Sequence, residues 1–280
     1  MSNKPTKRQS LYAHLKEKYF TAQEAQTVLG MDRNTFNNRV RAGLIKRTVI
    51  EGLGEHGLYE KQHIYDLAAT IEAALLATDA RNLTFRHATA GDLEAINYLA
   101  YLYFGEGALT PERKAARRRY LETNPDSTYA LFNFEKLLAS IDIVPLAHDA
   151  VLEFREGKRG WQFPDEKIEQ YQPGHPLELI IIDTMVSPNY PPRIRELYVG
   201  YLLRGLSEVF QQWGNQGVEI KSIDACGSTE QGRHILASAG FAYLGEKQPR
   251  RHMYHLEVAD SDLKLLRPYK DALADRKAQH

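Results

Sequence analysis

The chain has 280 residues, balances 36 Lys+Arg against 36 Asp+Glu, and has a mean hydropathy of −0.48. Its 43% hydrophobic and 26% charged residues exclude a fibrous or wholly disordered chain. A single cysteine, Cys226, excludes an internal disulfide framework and a cysteine-rich zinc site, and no apolar run approaches the roughly 18 residues of a membrane helix. The polar start, MSNKPTKRQS, has no apolar signal core, so a cytoplasmic protein of one large or two medium domains is expected.

The neutral sum hides a split. Residues 1–66 carry 11 Lys+Arg against 7 acids, a charge of +4, and the remainder carries 25 against 29, or −4. That pattern suits a unit that meets an anion joined to one that does not.

Thr21 and Glu24 have capping-box spacing, which predicts a helix to Leu29 with Ala25, Val28 and Leu29 inward. Gly30 supplies a positive-φ turn, Asp32 caps a second helix with Phe36 and Val40 as its apolar pair, and Gly43 ends it. Leu44–Ile50 is β-prone, residues 51–57 form a glycine-rich turn and Leu58-Tyr59 returns, so a hairpin wing is predicted. Ile64, Leu67, Ile71 and Leu75 predict one helix over residues 63–78. Residues 79–82 break it, which places domains at 1–80 and 81–280.

The second part opens with a strand at Leu83–Ala88. A capping box, Thr89 to Asp92, then starts a helix through Phe104, and a basic helix spans Pro111–Glu122. Strands are predicted at Thr128–Phe132, Leu137–Ile143 and Glu178–Val186, followed by a helix from Ile194 to Trp213 on Val199, Leu202, Leu206, Val209 and Trp213. A strand at Val218–Ala225, a short helix from Thr229 to Ala239 and a β pair at Phe241–Leu244 and Met253–Val258 complete the order, and residues 270–280 are expected to fray. The histidines have no metal-ligand spacing, so no metal is expected.

The stretch Tyr19 to Leu44 resembles, without gaps, the winged helix-turn-helix of MerR-type regulators and phage excisionases, although Arg39 stands where that family usually has an aromatic. The resemblance implies that the second helix enters the major groove of double-stranded DNA. With Phe36 and Val40 inward, Arg33, Thr35, Asn37, Asn38 and Arg41 face outward; arginine suits guanine and phosphate, asparagine suits adenine. Lys46 and Arg47 on the wing, with Lys4, Lys7 and Arg8 in the tail, would neutralise phosphates. The same residues would also suit the solvated face of a small protein-interaction domain.

The order β-α-α-β-β-β-α-β-α-β-β, with FRHATAGDLEAI at its start and ILASAGFAYLG near its end, resembles the GNAT acyltransferase superfamily over residues 83–258. The resemblance implies acetyl-CoA or another acyl-CoA, its pyrophosphate at the start of the helix after the central strand in a motif near [QR]-x-x-G-x-[GA]. The matching stretch makes Arg195, Tyr198, Val199 and Gly200 the candidate contacts, but Tyr198 replaces the first glycine and the loop before it is longer than usual. Leu236 stands where many members carry a tyrosine able to protonate the leaving thiolate. Asp183, at the end of the central strand, is where a general base often sits in this fold, with Glu178 as alternate; either would also serve as a plain strand-end acid. The insert from Pro145 to Pro176, with Trp161, Phe163 and Tyr171, is expected on the substrate side. Cys226 suits a nucleophile or, more plainly, a small buried residue.

The expectation is therefore an α/β (α+β) chain: a small winged helix-turn-helix, then a GNAT-like mixed sheet flanked by helices. Its expected function is transcription regulation. The second domain, catalytically degenerate, would sense an acyl-CoA or nucleotide or mediate dimerisation, and in the absence of a carboxy-terminal coiled coil it is the expected homodimer interface. The alternatives are an active acetyl-CoA-dependent N-acyltransferase with a DNA-targeting module, and an interaction scaffold without DNA contact.

Overall fold

A computed structural model describes residues 15–49, 57–79 and 82–279, with the side chains of 73 and 75–79 outside that description. The chain divides into two compact units, residues 1–82 with 187–197, and residues 83–186 with 198–280. The expected boundary falls on residues 80 and 81, which lie outside the described residues.

In the first unit, α1 (Ala22–Leu29) starts at the anticipated capping box: the Thr21 hydroxyl accepts from the Glu24 amide at 3.3 Å, and the Glu24 carboxylate accepts from the Thr21 amide at 2.7 Å. Gly30 (φ 61°) turns the chain in the left-handed region, and a Cβ there would come within 1.9 Å of the Tyr190 carbonyl carbon, so both conformation and space demand glycine. α2 (Arg33–Arg41) is capped by Asp32, which accepts from the amides of Asn34 and Thr35. α3 (Lys61–Asp79) closes a small core of Ala25, Leu29, Phe36, Ile45, Tyr59 and Ile64, with Leu67 and Ile71 packed against it; the Leu75 side chain lies outside the described residues.

Over residues 44–49, the described part of the expected strand at 44–50, no strand forms. The amides of Leu44 and Ile45 bond the Arg39 carbonyl to finish α2, and Ile45 turns into the core, which leaves only a bridge from Thr48 to Leu58. A pair that the sequence did not announce, β1 (Tyr19–Phe20) with β2 (Tyr59–Glu60), ties the unit together instead. Of the expected turn at residues 51–57 all but Gly57 lie outside the described residues, as do Ile50, Lys4, Lys7 and Arg8.

The second unit is a seven-stranded mixed sheet in the order β3-β4-β5-β6-β7-β9-β8. Its strands are β3 (Leu83–His87), β4 (Thr128–Asn133), β5 (Lys136–Leu146), β6 (Leu177–Val186), β7 (Ile220–Gly227), β8 (Ala242–Gln248) and β9 (Arg251–Glu257). Its helices are α4 (Leu93–Phe104), α5 (Pro111–Thr123), α6 (His148–Arg155), α7 (Pro192–Gln216), α8 (Glu230–Ser238) and α9 (Arg267–Ala278). Tyr120 of α5 and Val151 and Phe154 of α6 cluster with Val144, Ile180 and Met253 on one sheet face, beside the cluster that α4 forms with Met185. On the other face Trp213 of α7 meets Tyr129, and Phe210 meets Tyr269 of α9.

Two helices depart from expectation. α6 lies in the insert, where Ala150, Val151 and Phe154 make a short apolar stripe. α9 replaces the expected frayed end, because Tyr269 is buried and its hydroxyl accepts from the Ile220 amide at 2.6 Å and donates to the Val218 carbonyl at 3.2 Å. Among the described residues no helix is long and apolar enough to cross a membrane.

Candidate functional site

The sheet opens where its parallel pair ends. β6 and β7 pair from Leu177/Ile220 to Ile181/Ala225, and both strands run on beyond that point. On its other side β6 follows β5, but the register steps between Asp142/Asp183 and Ile143/Ile181, so Ile182 is an extra residue. A bulge bends a strand and re-aims its side chains. Here the consecutive residues Ile182 and Asp183 both line a cavity of about 230 Å³. Cys226 and Ser228, from the parted end of β7, line it too. Phe104, Trp161 and Phe154 give it apolar walls, and Arg113, Arg117 and Arg251 give it charge.

Arg117 organises that charge. It is 2% exposed, and its guanidinium donates to Asn97 Oδ1 and Asp183 Oδ2 at 2.7 Å each and to Asp142 Oδ2 at 3.3 Å. The other Asp142 oxygen accepts from the Thr128 hydroxyl at 2.8 Å. Burial opposes the charge of Arg117, but the two carboxylates outweigh it and raise its pKa. For Asp183 burial dominates; Arg117 opposes it, Asp142 adds to it, and the carboxyl ends above its ordinary value. The Arg113 guanidinium lies 5.5 Å from the centre of the Trp161 ring. Arg251 lies over Phe154 and donates to the Arg159 carbonyl at 3.2 Å and to Gln248 Oε1 at 3.5 Å. Among the described residues neither Arg113 nor Arg251 forms a salt bridge with a carboxylate, although the charge of Arg113 also favours ionised Asp183.

The alternate acid, Glu178, is elsewhere. It belongs to a second polar cluster with His148, Arg155, Lys221 and Ser222, next to Asp224, which Arg155 grips at 2.7 and 2.9 Å. Burial pushes the Glu178 carboxyl up, but His148, Lys221 and Arg155 together hold it below its ordinary value. Asp224 is fully buried, and burial leaves its carboxyl raised despite Arg155 and His255. This cluster locks α6 to the sheet. Among the described residues no group of acids, histidines and cysteine could hold a metal.

The four expected cofactor contacts all fall within one helix. α7 begins at Pro192, because Pro191 and Pro192 have no amide to lose and a φ already set for helix. Arg195, Tyr198, Val199 and Gly200 therefore lie inside the helix, and the Arg195 amide already bonds the Pro191 carbonyl at 3.0 Å. Tyr198 is fully buried, and a Cβ on Gly200 would meet nothing within 4 Å, so neither shapes a phosphate cradle. The amides without an intrahelical partner are those of Arg193 and Ile194. Of the four expected contacts Arg195 alone fits an anion: its Nε is buried with no hydrogen-bond partner among the described residues.

On α2, Arg33, Asn38 and Arg41 are exposed and Asn37 is half-buried. The Thr35 hydroxyl is engaged by Asp32 at 2.6 Å, which makes it part of the cap. Lys46 and Arg47 are exposed beyond the helix. Of the three aromatics expected there, Trp161 lines the cavity, together with Phe154 of α6, whereas Phe163 is buried in the core and Tyr171 stacks on Trp213 at 3.9 Å. Cys226 is half-buried on the cavity wall. The sequence reading missed Arg117, Asn97 and Asp142; the signal available was a run of arginines on an otherwise sheet-covering helix, with Arg117 beside the buried Ala116.

No protein-family model matches the chain, and no curated protein matches it. Solved structures similar to it include FeeM, an N-acyl amino acid synthase from uncultured soil microbes, at 12% identity and a TM-score of 0.41, covering 70% of this chain and 97% of that one. The loading GNATL domain of CurA from Lyngbya majuscula is similar at 14% identity and a TM-score of 0.42, covering 62% and 97%. Ard1 from Thermoplasma volcanium is similar at 14% identity and a TM-score of 0.41, covering 62% and 95%.

Proposed function

We propose that the protein is a DNA-binding regulator whose second unit, a GNAT-like sheet, holds a small ligand where β6 and β7 part. The observation that carries the first half is α2. Its nine residues include three arginines and three asparagines, no carboxylate, and one buried side chain, Phe36. A helix that buries so little of itself has its polar face free for a partner, and arginine with asparagine suits base edges and phosphates. A second copy paired through the second unit would set two such helices on a two-fold site. Anisotropy titrations of the full chain against selected duplexes test the reading. Arg41→Ala should weaken binding and lower the salt slope by about 1; unchanged binding and slope would remove α2 as the reading helix.

A second reading, acyl transfer, draws on the Ile182 bulge and the parted strands, which set the Asp183 carboxyl at a cavity. In that reading acyl-CoA supplies the acyl group and Asp183 accepts the proton of the attacking amine. Arg117 weakens Asp183 as a base by holding it as an ion pair, and Leu236 offers no acid. Turnover of acetyl-CoA with an amine panel, abolished by Asp183→Asn, would place this reading first.

A further inference from the structure

We infer that the cavity between β6 and β7 is a site for a small carboxylate with a short apolar body, bound between Arg113 and Arg251. The inference deepens the ligand-binding reading above by naming the ligand class, and it rests on that reading only for the cavity itself.

The charge count sets the sign and number. Arg113, Arg117 and Arg251 reach the cavity, while Asp183 and, behind it, Asp142 both lean on Arg117. Three cations against two anions leave the group one positive charge in excess, so one carboxylate closes the balance. The excess sits on Arg113 and Arg251, since Arg117 is spent on Asn97, Asp142 and Asp183. Arg113, over the Trp161 ring and in no salt bridge among the described residues, can turn its donor fork to a carboxylate, and Arg251 adds the donors that the Arg159 carbonyl and Gln248 do not take.

The walls set the rest of the ligand. Phe104, Ala108, Trp161 and Ile182 are apolar, and the volume of about 230 Å³ is small for a ligand site. A body of a few carbons fits the enclosed part. A dianion such as a phosphate monoester would overshoot the charge balance and find little for its third oxygen. A free monocarboxylic acid and an α-amino acid share the recognised group and differ in whether an amine meets Asp183.

The test is calorimetric titration of the full chain with 4-methylpentanoate, its neutral amide 4-methylpentanamide, and L-leucine, alongside acetyl-CoA. The acid or leucine should bind at least tenfold more tightly than the amide. Stronger binding of the acid marks a free acid, and stronger binding of leucine marks an amino acid. Arg113→Gln and Arg251→Gln should each weaken the preferred carboxylate at least tenfold while leaving the weak binding of the neutral amide as it was, a contrast that loss of fold would not give. Equal binding of acid and amide, no binding of any of the three, or full affinity in both variants overturns the inference. Acetyl-CoA binding that persists in those cases leaves the acyl-CoA reading intact, so the two fail separately.

Discussion

Replacing Arg117 by methionine tests the charge arrangement most directly. Arg117→Met keeps most of the side-chain volume, so the effect is electrostatic rather than a packing void. It removes contacts at 2.7, 2.7 and 3.3 Å and strands Asp142, 2% exposed, with the Thr128 hydroxyl alone. Breaking a buried ion pair by removing one partner costs about 3–5 kcal/mol, a large share of the stability of a domain this size. Asp183 is already raised above its ordinary 3.8. A carboxyl raised by folding contributes stability that is present below the unfolded pKa and lost as pH rises through the folded value. Without Arg117 that folded value climbs further, so the penalty should be largest near pH 8 and shrink toward pH 5. Urea unfolding followed by the fluorescence of Trp161 and Trp213 reads this unit. Arg117→Met/Asp183→Asn should recover at least half of the loss at pH 8. A penalty that does not vary with pH, or that the double variant fails to relieve, would refute the account of Arg117 as counter-ion to two buried acids.

Two further outcomes are expected. Tyr269→Phe leaves the Ile220 amide without its partner and should cost about 1–3 kcal/mol in the same urea experiment, loosening α9 from the start of β7. Asp92, hydrogen-bonded by Arg86 at 2.7 and 2.9 Å, has its carboxyl lowered to about 2, chiefly by that pair. Its stabilisation is present above the unfolded pKa of 3.8 and disappears as pH falls toward 2. Because Arg86 is partly exposed, Asp92→Asn should cost only about 1–2 kcal/mol at pH 7 and nothing near pH 2.

Local signals carried most of the secondary structure. Caps at Thr21, Asp32 and Thr89 and the stripe from Leu202 to Trp213 each specify their element through neighbours a few residues away, and the helices formed where those signals stood. Signals that depend on the rest of the fold were harder to read. The start of α7 was displaced because Pro191 and Pro192 look like loop residues until a helix is seen to follow them. The residues 44–50 were β-prone in composition, but Ile45 was needed in the core and the carbonyl of Arg39 claimed the adjacent amides. At the candidate site Asp183 was visible as a strand-end acid. Its partners were not, because Asn97, Arg117 and Asp142 are separated by tens of residues and meet only through the packing of α4 and α5 on the sheet.

The insert beside the cavity is sewn down by bonds between side chains and main chain, two of the gripping side chains coming from α5 and its end and one from the insert itself. The Tyr120 hydroxyl donates to the Trp161 carbonyl and accepts from the Phe163 amide, Asn124 donates to the Glu169 carbonyl at 2.9 Å, and the Tyr171 hydroxyl donates to the Ile143 carbonyl at 3.0 Å. Main-chain anchors of this kind cannot be swapped for others by a rotamer change. The wall that Trp161 builds is therefore a fixed gauge, ready-shaped before anything enters. A guest that met this wall would find a surface already set, at little cost in conformational entropy.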